Sequence, residues 1–450
     1  MSGNVNLVQD ETALNRERYK VALASMVGIA IEWYDFFLYG TAAALVFNKL
    51  FFPQFDPLVG TIVAFATFAV GFLSRPIGGI FFGHLGDRVG RKKIYYVTLL
   101  IMGIGTTVVG LLPTYASVGI WAPILLVTCR IAQGFGLGGA WGGAVLMAVE
   151  HAPSHRRGLY GSLAQLGAPL GLVLGTIVFG WFARYPEKQF LSWAWRIPFL
   201  FSIVLVSLGS FVRKTIAESP IFQKVKETKT EAKIPVIEAI VKHPKNVLLA
   251  MGVRFAENGL FYIYAAFVFA YAVQILKVSR TMILDAVTIA ATIEVFAIPL
   301  FGYLSDKLGR RPVYVFGAVF SAVWSFPFFW MMGDKSLWMA TLAITLGLAV
   351  GHAAMYGPQA SLFSEMFGTR VRYSGASLGY QLASIFAGAL TPIIATSLLD
   401  RYKGMSWPVA VYMVILALIT VVSLYFVSET YKKTLEEPQE VALAMPAPKA

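Results

Sequence analysis

The sequence predicts an all-α membrane protein with twelve transmembrane helices in two pseudo-symmetric six-helix bundles, and three observations carry that prediction. The 450 residues are 57% hydrophobic and 14% charged, with a net charge of +13 and a mean hydropathy of +0.67, beyond the apolar share of an ordinary soluble domain. Apolar runs of the roughly 20 residues needed to cross a hydrocarbon core can be read twelve times. A loop rich in Gly, Asp and Arg occurs twice, 219 residues apart.

Met1 to Lys20 is polar and lacks the basic start, short apolar core and small-residue cleavage site of a secretory signal. The first span is therefore expected to stay in the protein. With Gly, Pro and charge runs as breaks, the first bundle, 21–213, is expected to hold spans at 21–48, 59–86, 94–112, 120–149, 157–183 and 192–213. The polar stretch 214–245, mixed in Lys and Glu, reads as a linker or surface helix on an anionic membrane face. The second bundle, 246–428, is expected to hold spans at 246–275, 283–305, 311–332, 337–366, 373–400 and 406–428. Residues 1–20 and 429–450 are left as tails.

A positive charge this large would point a soluble protein towards nucleic acid, so the placement of the charge decides its meaning. Twenty-five of the 37 basic residues fall in the segments on one side of the predicted spans and eight on the other. That asymmetry satisfies the positive-inside rule with both termini cytoplasmic and removes the motive for nucleic-acid binding. Cys129 is the single cysteine and lies within a span, which excludes a disulfide framework, a thiolate zinc site and a redox pair. No clustered metal ligands, no nucleophile beside a base and no phosphate-cradling loop can be read. No enzyme activity, metal or cofactor is expected.

The halves repeat. Gly83-His-Leu-Gly-Asp87-Arg-Val-Gly90-Arg91 follows the second span, and Gly302-Tyr-Leu-Ser-Asp306-Lys-Leu-Gly309-Arg310 follows the eighth. Glu32 to Tyr39 matches Glu257 to Tyr264, and Glu150, Arg156 and Gly161 match Glu365, Arg370 and Gly375. Two related halves place a solute site at their interface near mid-membrane, exposed alternately as one half rocks against the other.

Those paired loops, with Arg130-Ile-Ala-Gln133-Gly134-Phe-Gly136-Leu-Gly138-Gly139, resemble the signature motifs of the major facilitator superfamily. Glu32-Trp-Tyr-Asp35, Ser74-Arg75-Pro76, Trp195-Arg196-Ile-Pro and Ala256-Glu257-Asn258-Gly259 narrow the resemblance to the metabolite:proton symporter branch, known for shikimate, 2-oxoglutarate, citrate and betaine or proline carriers. The resemblance covers almost the whole chain, and the first half is most similar to shikimate-type members. It implies a bacterial inner-membrane protein, a monomer, that takes up a small organic solute with protons by alternating access. An organic acid such as shikimate or a dicarboxylate is the expected cargo. A proton-independent facilitator and a zwitterion carrier remain open, as does, in another class, a channel or sensor, though neither of the last two predicts duplicated loops.

Charges inside the spans nominate the working residues, since one costs at least about 2.5–3.5 kcal/mol at mid-bilayer without partners or water. Glu32 and Asp35 are three residues apart on one helix face, and Arg130 lies in the fourth span. A carboxylate facing that guanidinium is either a proton switch that frees Arg130 for an anionic solute or a permanent ion pair. The resemblance extends to the first-span acid and fourth-span arginine of proton-linked sugar porters, which ranks Asp35 first. Many relatives carry an acid within Gly138 to Gly143, where this chain has Ala140. Asp35 or Glu32 then acts alone, the solute differs, or transport proceeds without protons. Tyr39, Arg130, Glu257, Asn258, Tyr262, Tyr356, Gln359 and Gln381 are the candidate solute contacts. Arg254 pairs locally with Glu257 on the competing reading, and His352 shares a face with Tyr356 and Gln359. Asp87, Arg88, Arg91, Asp306 and Arg310, with Glu150, Arg156, Glu365 and Arg370, are expected to form the cytoplasmic gate, the resemblance assigning these loops to conformational switching. Arg75 and Glu294 occupy equivalent repeat positions and are expected to be structural. The glycines of the fourth span are expected to serve close helix packing.

Overall fold

A computed structural model describes residues 26–89, 91–138, 145, 148–150, 152–214, 241, 243–367 and 372–432, apart from the side chains of 83–96, 208–214 and 372–374. In lipid, every backbone N–H and C=O must find its partner within the chain, so each apolar run closes into a helix. Among the described residues the long helices are α1 (Met26–Leu50), α2 (Pro57–Val89), α3 (Arg91–Leu111), α4 (Trp121–Leu137), α5 (Ser154–Ala183) and α6 (Ile197–Lys214), then α7 (Pro244–Ile275), α8 (Arg280–Leu308), α9 (Arg310–Met332), α10 (Leu337–Met366), α11 (Gly375–Arg401) and α12 (Trp407–Phe426). Nine are long and apolar enough to cross a membrane, and Val97–Leu111, Trp121–Leu137 and Ala194–Ser207 are shorter apolar helices. Most of the expected linker, and both expected tails except 429–432, lie outside the described residues.

Local chemistry sets the ends. Ser279 caps α8 by accepting from the Met282 amide at 3.2 Å. Gly309 ends it at φ +99, a conformation open to glycine, and α9 starts at the next residue. Glu429 then accepts from the first two amides of α9, Arg310 and Arg311, at 2.9 and 3.0 Å, an anion at the positive end of a helix.

Within the first half, α2 and α4 approach until only glycine fits. A Cβ on Gly78 would lie 1.9 Å from the Phe135 carbonyl oxygen, and one on Gly134 would lie 2.0 Å from that of Gly71. Between the halves, α5 packs along α8 and α2 along α11, while the start of α5 lies against α10. Gly158 and Gly302 make the tightest crossing on the α5–α8 seam, each leaving less than 3.0 Å for a Cβ before the other's carbonyl. Wider π-helical turns interrupt α1 (Ala43–Phe47), α7 (Ile263–Phe267 and Tyr271–Ile275), α10 (Leu346–His352) and α11 (Ser384–Ala389). Such turns gather at functional sites, and all four helices face the interface between the halves.

The close packing predicts that Gly78→Ala and Gly134→Ala, whose new methyl groups meet backbone atoms, lose most of the correctly assembled protein. Gly175→Ala, where the nearest atom is 3.8 Å away, should keep it. Monodisperse yield on size-exclusion chromatography after detergent extraction measures both, and normal yield from the first two would refute the packing argument.

Candidate functional site

The site is built from three groups of buried charge, two near the centre and one at an end of the seam. At that end Asp306 of α8 accepts from the backbone amides of Gly158 and Leu159, at 2.8 and 2.9 Å. These are the unsatisfied donors of the first turn of α5, in the other half. Arg310 holds the same carboxylate at 2.7 Å and reaches Glu365 of α10 at 3.2 Å, and Thr430 donates to Glu365 at 2.6 Å. One carboxylate thus joins the end of α8 to the start of α5 across the halves. At the opposite end Arg184 pairs with Asp285 at 3.0 Å, Arg280 donates to the Ala183 and Tyr185 carbonyls, and Gln274 donates to Thr61 at 2.7 Å. An exposed Lys49–Glu187 bridge of 2.5 Å sits on the same end. Its hydrogen bond and charge hold the Glu187 carboxyl below its usual range. Exposed pairs of this kind contribute about 0–1 kcal/mol.

In the first half, Arg130 is 1% exposed and reaches no ion-pair partner among the described residues. Its guanidinium lies 4.4, 4.3 and 4.8 Å from the ring centres of Phe36, Tyr39 and Phe68, and a desolvated cation over a ring gains up to about 2 kcal/mol. Its Nη1 donates to Gln133 at 3.0 Å, and Gln133 donates to Thr106 at 2.7 Å. Thr106 is a neighbour of the Asp35 carboxyl. Asp35 accepts from Ser202 at 2.7 Å through Oδ1, while Oδ2 has no partner. Arg75 lies over Phe36 at 4.2 Å and Phe72 at 4.4 Å. Nε and Nη2 of both Arg75 and Arg130 are buried without an acceptor.

The second half is more fully bonded. Arg254 pairs with Glu257 at 3.0 Å, donates to the Tyr380 carbonyl at 2.7 Å and to the Ser384 hydroxyl, and lies over the Tyr380 ring. Glu257 also accepts from Gln359 at 2.8 Å and meets His352 Nε2 at 3.3 Å. The other ring nitrogen of His352 bonds to Glu294 of α8. A small cavity opens onto this network, lined by Trp33, Phe37 and Ala168 from one half and Arg254, Glu257, Asn258, Phe261, His352, Tyr356 and Tyr380 from the other. Its volume, about 10 Å³, is on the order of a single water. A solute can enter only if the halves move apart. A larger hollow of about 360 Å³ lies beside Arg184, Asp285 and Trp181 at the periphery of the seam, away from these charges.

The structure brings Glu257, Asn258 and Tyr356 to the cavity and holds Gln359 behind Glu257. Tyr39 is bound through its hydroxyl to Thr67 at 2.7 Å and offers its ring to Arg130. Tyr262 packs its ring against Phe36, Phe68 and Phe72. Gln381 is half-buried on α11 and is not among the cavity residues. Glu32 is buried beside Asp35 on α1. Asp306, Arg310 and Glu365 meet, whereas Glu150 and Arg156 are exposed. The side chains of Asp87, Arg88 and Arg91, and all of Ala140 and Arg370, lie outside the described residues. Asp35 and Arg130 are linked through Gln133 and Thr106 in place of the direct contact that spacing alone suggests. His352, which the sequence placed on a face with Tyr356 and Gln359, and Glu294, expected to be structural, meet in this network, and Trp33 was not nominated. The signal available for the first two was the cost of any ionisable group in a span.

A family model described as Major Facilitator Superfamily matches residues 25–378 and 258–448. The shikimate transporter of Escherichia coli (strain K12) is 42% identical over 428 residues, covering 94% of this chain and 98% of that protein. The proline/betaine transporter of Salmonella typhimurium is 35% identical, covering 96% of this chain and 87% of that one. Among solved structures, a partially occluded inward open conformation of the xylose transporter XylE from E. coli aligns with a TM-score of 0.71 at 23% identity, over 93% of this chain and 100% of that one. That last likeness bears on the fold.

The Asp306 contact predicts a conformational effect. Asp306→Asn removes a charge from a buried pair, where losing one partner costs about 3–5 kcal/mol, and weakens the bond to the start of α5. Spin labels at residues 155 and 308, both exposed, should show a broader and longer distance distribution. An unchanged distribution would mean that Asp306 does not hold this end shut.

Proposed function

The chain belongs to the major facilitator superfamily and is a membrane transporter, not an enzyme; from that premise we propose that it couples uptake of a small organic acid to protons across a bacterial inner membrane, with both termini cytoplasmic. Two buried guanidiniums with donors left over carry the reading. Arg75 and Arg130 each keep Nε and Nη2 without an acceptor, and a fork of parallel N–H groups matches a carboxylate. Stacked rings hold the two cations in place while those donors stay open to an incoming anion.

The proton enters through Asp35. While Asp35 is ionised, its field offsets part of the positive charge of Arg130. Once Oδ2 takes up a proton, the first half gains positive potential and binds the solute anion more tightly. Proton and solute then favour each other's binding, as linkage requires, and the loaded site carries less net charge through the closed intermediate. The Asp306 contact to α5 lies on the cytoplasmic side in this orientation and must break for release.

A second reading rests on the cavity. Trp33 stacks on Phe37 at 5.0 Å and Phe37 meets Phe261 at 5.2 Å, with Glu257 on the same wall. Rings beside a carboxylate suit a quaternary ammonium head, the chemistry of a betaine.

Counterflow and pH-gradient-driven uptake in proteoliposomes test both, against a panel of shikimate, dicarboxylates, aromatic acids and betaines. Saturable accumulation of a carboxylic acid, driven by a pH gradient, is the expected result. Arg130→Ala should weaken apparent affinity by about 1.5–3 kcal/mol, the range of a charge-assisted bond, and Asp35→Asn should abolish gradient-driven accumulation. Full accumulation in Asp35→Asn sinks the proton assignment, and preference for betaine selects the zwitterion reading.

A further inference from the structure

Glu257, His352 and Glu294 form a buried acid–imidazole–acid row across α7, α10 and α8 that the Asp35 scheme does not use. The three side chains are at most 4% exposed. His352 Nδ1 is bonded to Glu294 Oε1, and Nε2 lies 3.3 Å from Glu257 Oε1. A neutral imidazole has one N–H and one lone pair, and an ionised carboxylate only accepts. Two nitrogens facing two carboxylates therefore need two protons, and neutral histidine supplies one. The row must hold a further proton, as imidazolium or as a carboxylic acid.

The charge count agrees. Arg254, one helical turn from Glu257, is the fixed cation of this half. With the additional proton, Arg254, His352 and the two glutamates sum to zero. Without it they sum to −1 in a region where net charge is costly. The other ionisable groups around His352 are Tyr356 on α10, stacked on the imidazole at 5.0 Å, Tyr314 on α9, reached through Gln359, and Tyr380 on α11, under Arg254. All are neutral phenols at physiological pH.

We propose that the Glu257–His352–Glu294 row is a second proton-binding site, in the C-terminal half, whose occupancy is set by solute through Arg254. It rests on the reading of the protein as a proton-coupled carrier and adds a carrier group to it. Arg254, Glu257 and His352 all line the cavity, so an arriving carboxylate competes with Glu257 for Arg254. Glu257, released, strengthens its bond to His352 and keeps the proton in place. The half closes around a neutral set of charges plus solute. When the half opens and water solvates the carboxylates, His352 no longer depends on them to hold its proton, which is lost to that water as the solute leaves. Glu294 Oε2, buried without a partner, is the other oxygen on which that proton can rest.

Two measurements on the purified, reconstituted protein test this: proton uptake from weakly buffered solution on adding the transported acid, and accumulation under a pH gradient compared with counterflow exchange. The variants are His352→Gln, which keeps a donor and an acceptor but holds no positive charge, and Glu294→Gln, milder because Glu257 stays in place. Glu294→Gln, whose residue lies outside the cavity lining, should retain counterflow, and both variants should lose gradient-driven accumulation by about tenfold or more and take up fewer protons per solute than wild type. If either folded variant matches wild type in proton uptake and accumulation, the second site is wrong while proton coupling stands. If wild type itself neither accumulates solute nor takes up protons, proton coupling fails first. Loss of counterflow with unchanged proton uptake in a folded variant would make the row a solute contact and overturn the proposal.

Discussion

The poor solvation of charge by lipid is the constraint on which the molecule depends. Each ionisable side chain within a span must find a partner, a ring or a polar cavity, and the fold meets that demand differently in its two halves. The first half surrounds Arg75 and Arg130 with aromatic rings and leaves donors open. The second half ties Arg254 into bonds with Glu257, Tyr380 and Ser384. The first half thus keeps guanidinium donors open beside its buried acids Glu32 and Asp35, while the second ties its charges into one bonded network.

That asymmetry gives a physical reason for movement between the halves. On the proposed reading the open donors of Arg75 and Arg130 attract an anion, while the cavity between the halves, lined by neither, is of single-water size in this closed arrangement. The seam must therefore open, and the polar contacts at its ends include Asp306 on the first turn of α5 at one end and Arg184 with Asp285 and Gln274 with Thr61 at the other, with Phe37 against Phe261 and Tyr262 against Phe36 between the halves. Between them Gly158 and Gly302 let the backbones of α5 and α8 meet. On the proposed alternating-access reading either end can be released without unpacking the glycine-tight contact of α2 and α4, which lies within the first half.

Much of the fold was legible because hydropathy is a one-dimensional signal and lipid thickness fixes its period. Most helices begin and end within a few residues of the apolar runs, α2 runs on into the repeated loop to Val89, and the fourth span, expected to 149, is a continuous described helix only to Leu137. The Asp306–Arg310 pair was legible for another reason. Its residues stand four apart, Asp306 in the last turn of α8 and Arg310 at the start of α9, and recur after a fixed offset, so both spacing and repetition marked them. The centre was read less fully. Glu294 and His352 are 58 residues apart on separate helices, and their meeting depends on how α8 and α10 are rotated, which no single span encodes. The same is true of Arg130, whose sequence spacing shows that it shares a half with Asp35 but not that Gln133 and three rings would stand between them.

Helix rotation also explains why the polar centre sits where it does. The π-helical turn Leu346–His352 ends at the histidine itself, and Ile263–Phe267 lies just beyond Tyr262. Each such turn adds a residue and swings the following side chains by a fraction of a turn, so an inward-facing position becomes available without a break in the backbone bonding that lipid requires. α1 carries the matching turn at Ala43–Phe47, past Glu32, Asp35 and Tyr39. The two halves therefore use the same backbone device beside different charges, and the difference between them comes from side chains: an acid at 294 where the first half has an arginine at 75. That one exchange places a carboxylate against His352 in the second half and a guanidinium over Phe36 and Phe72 in the first.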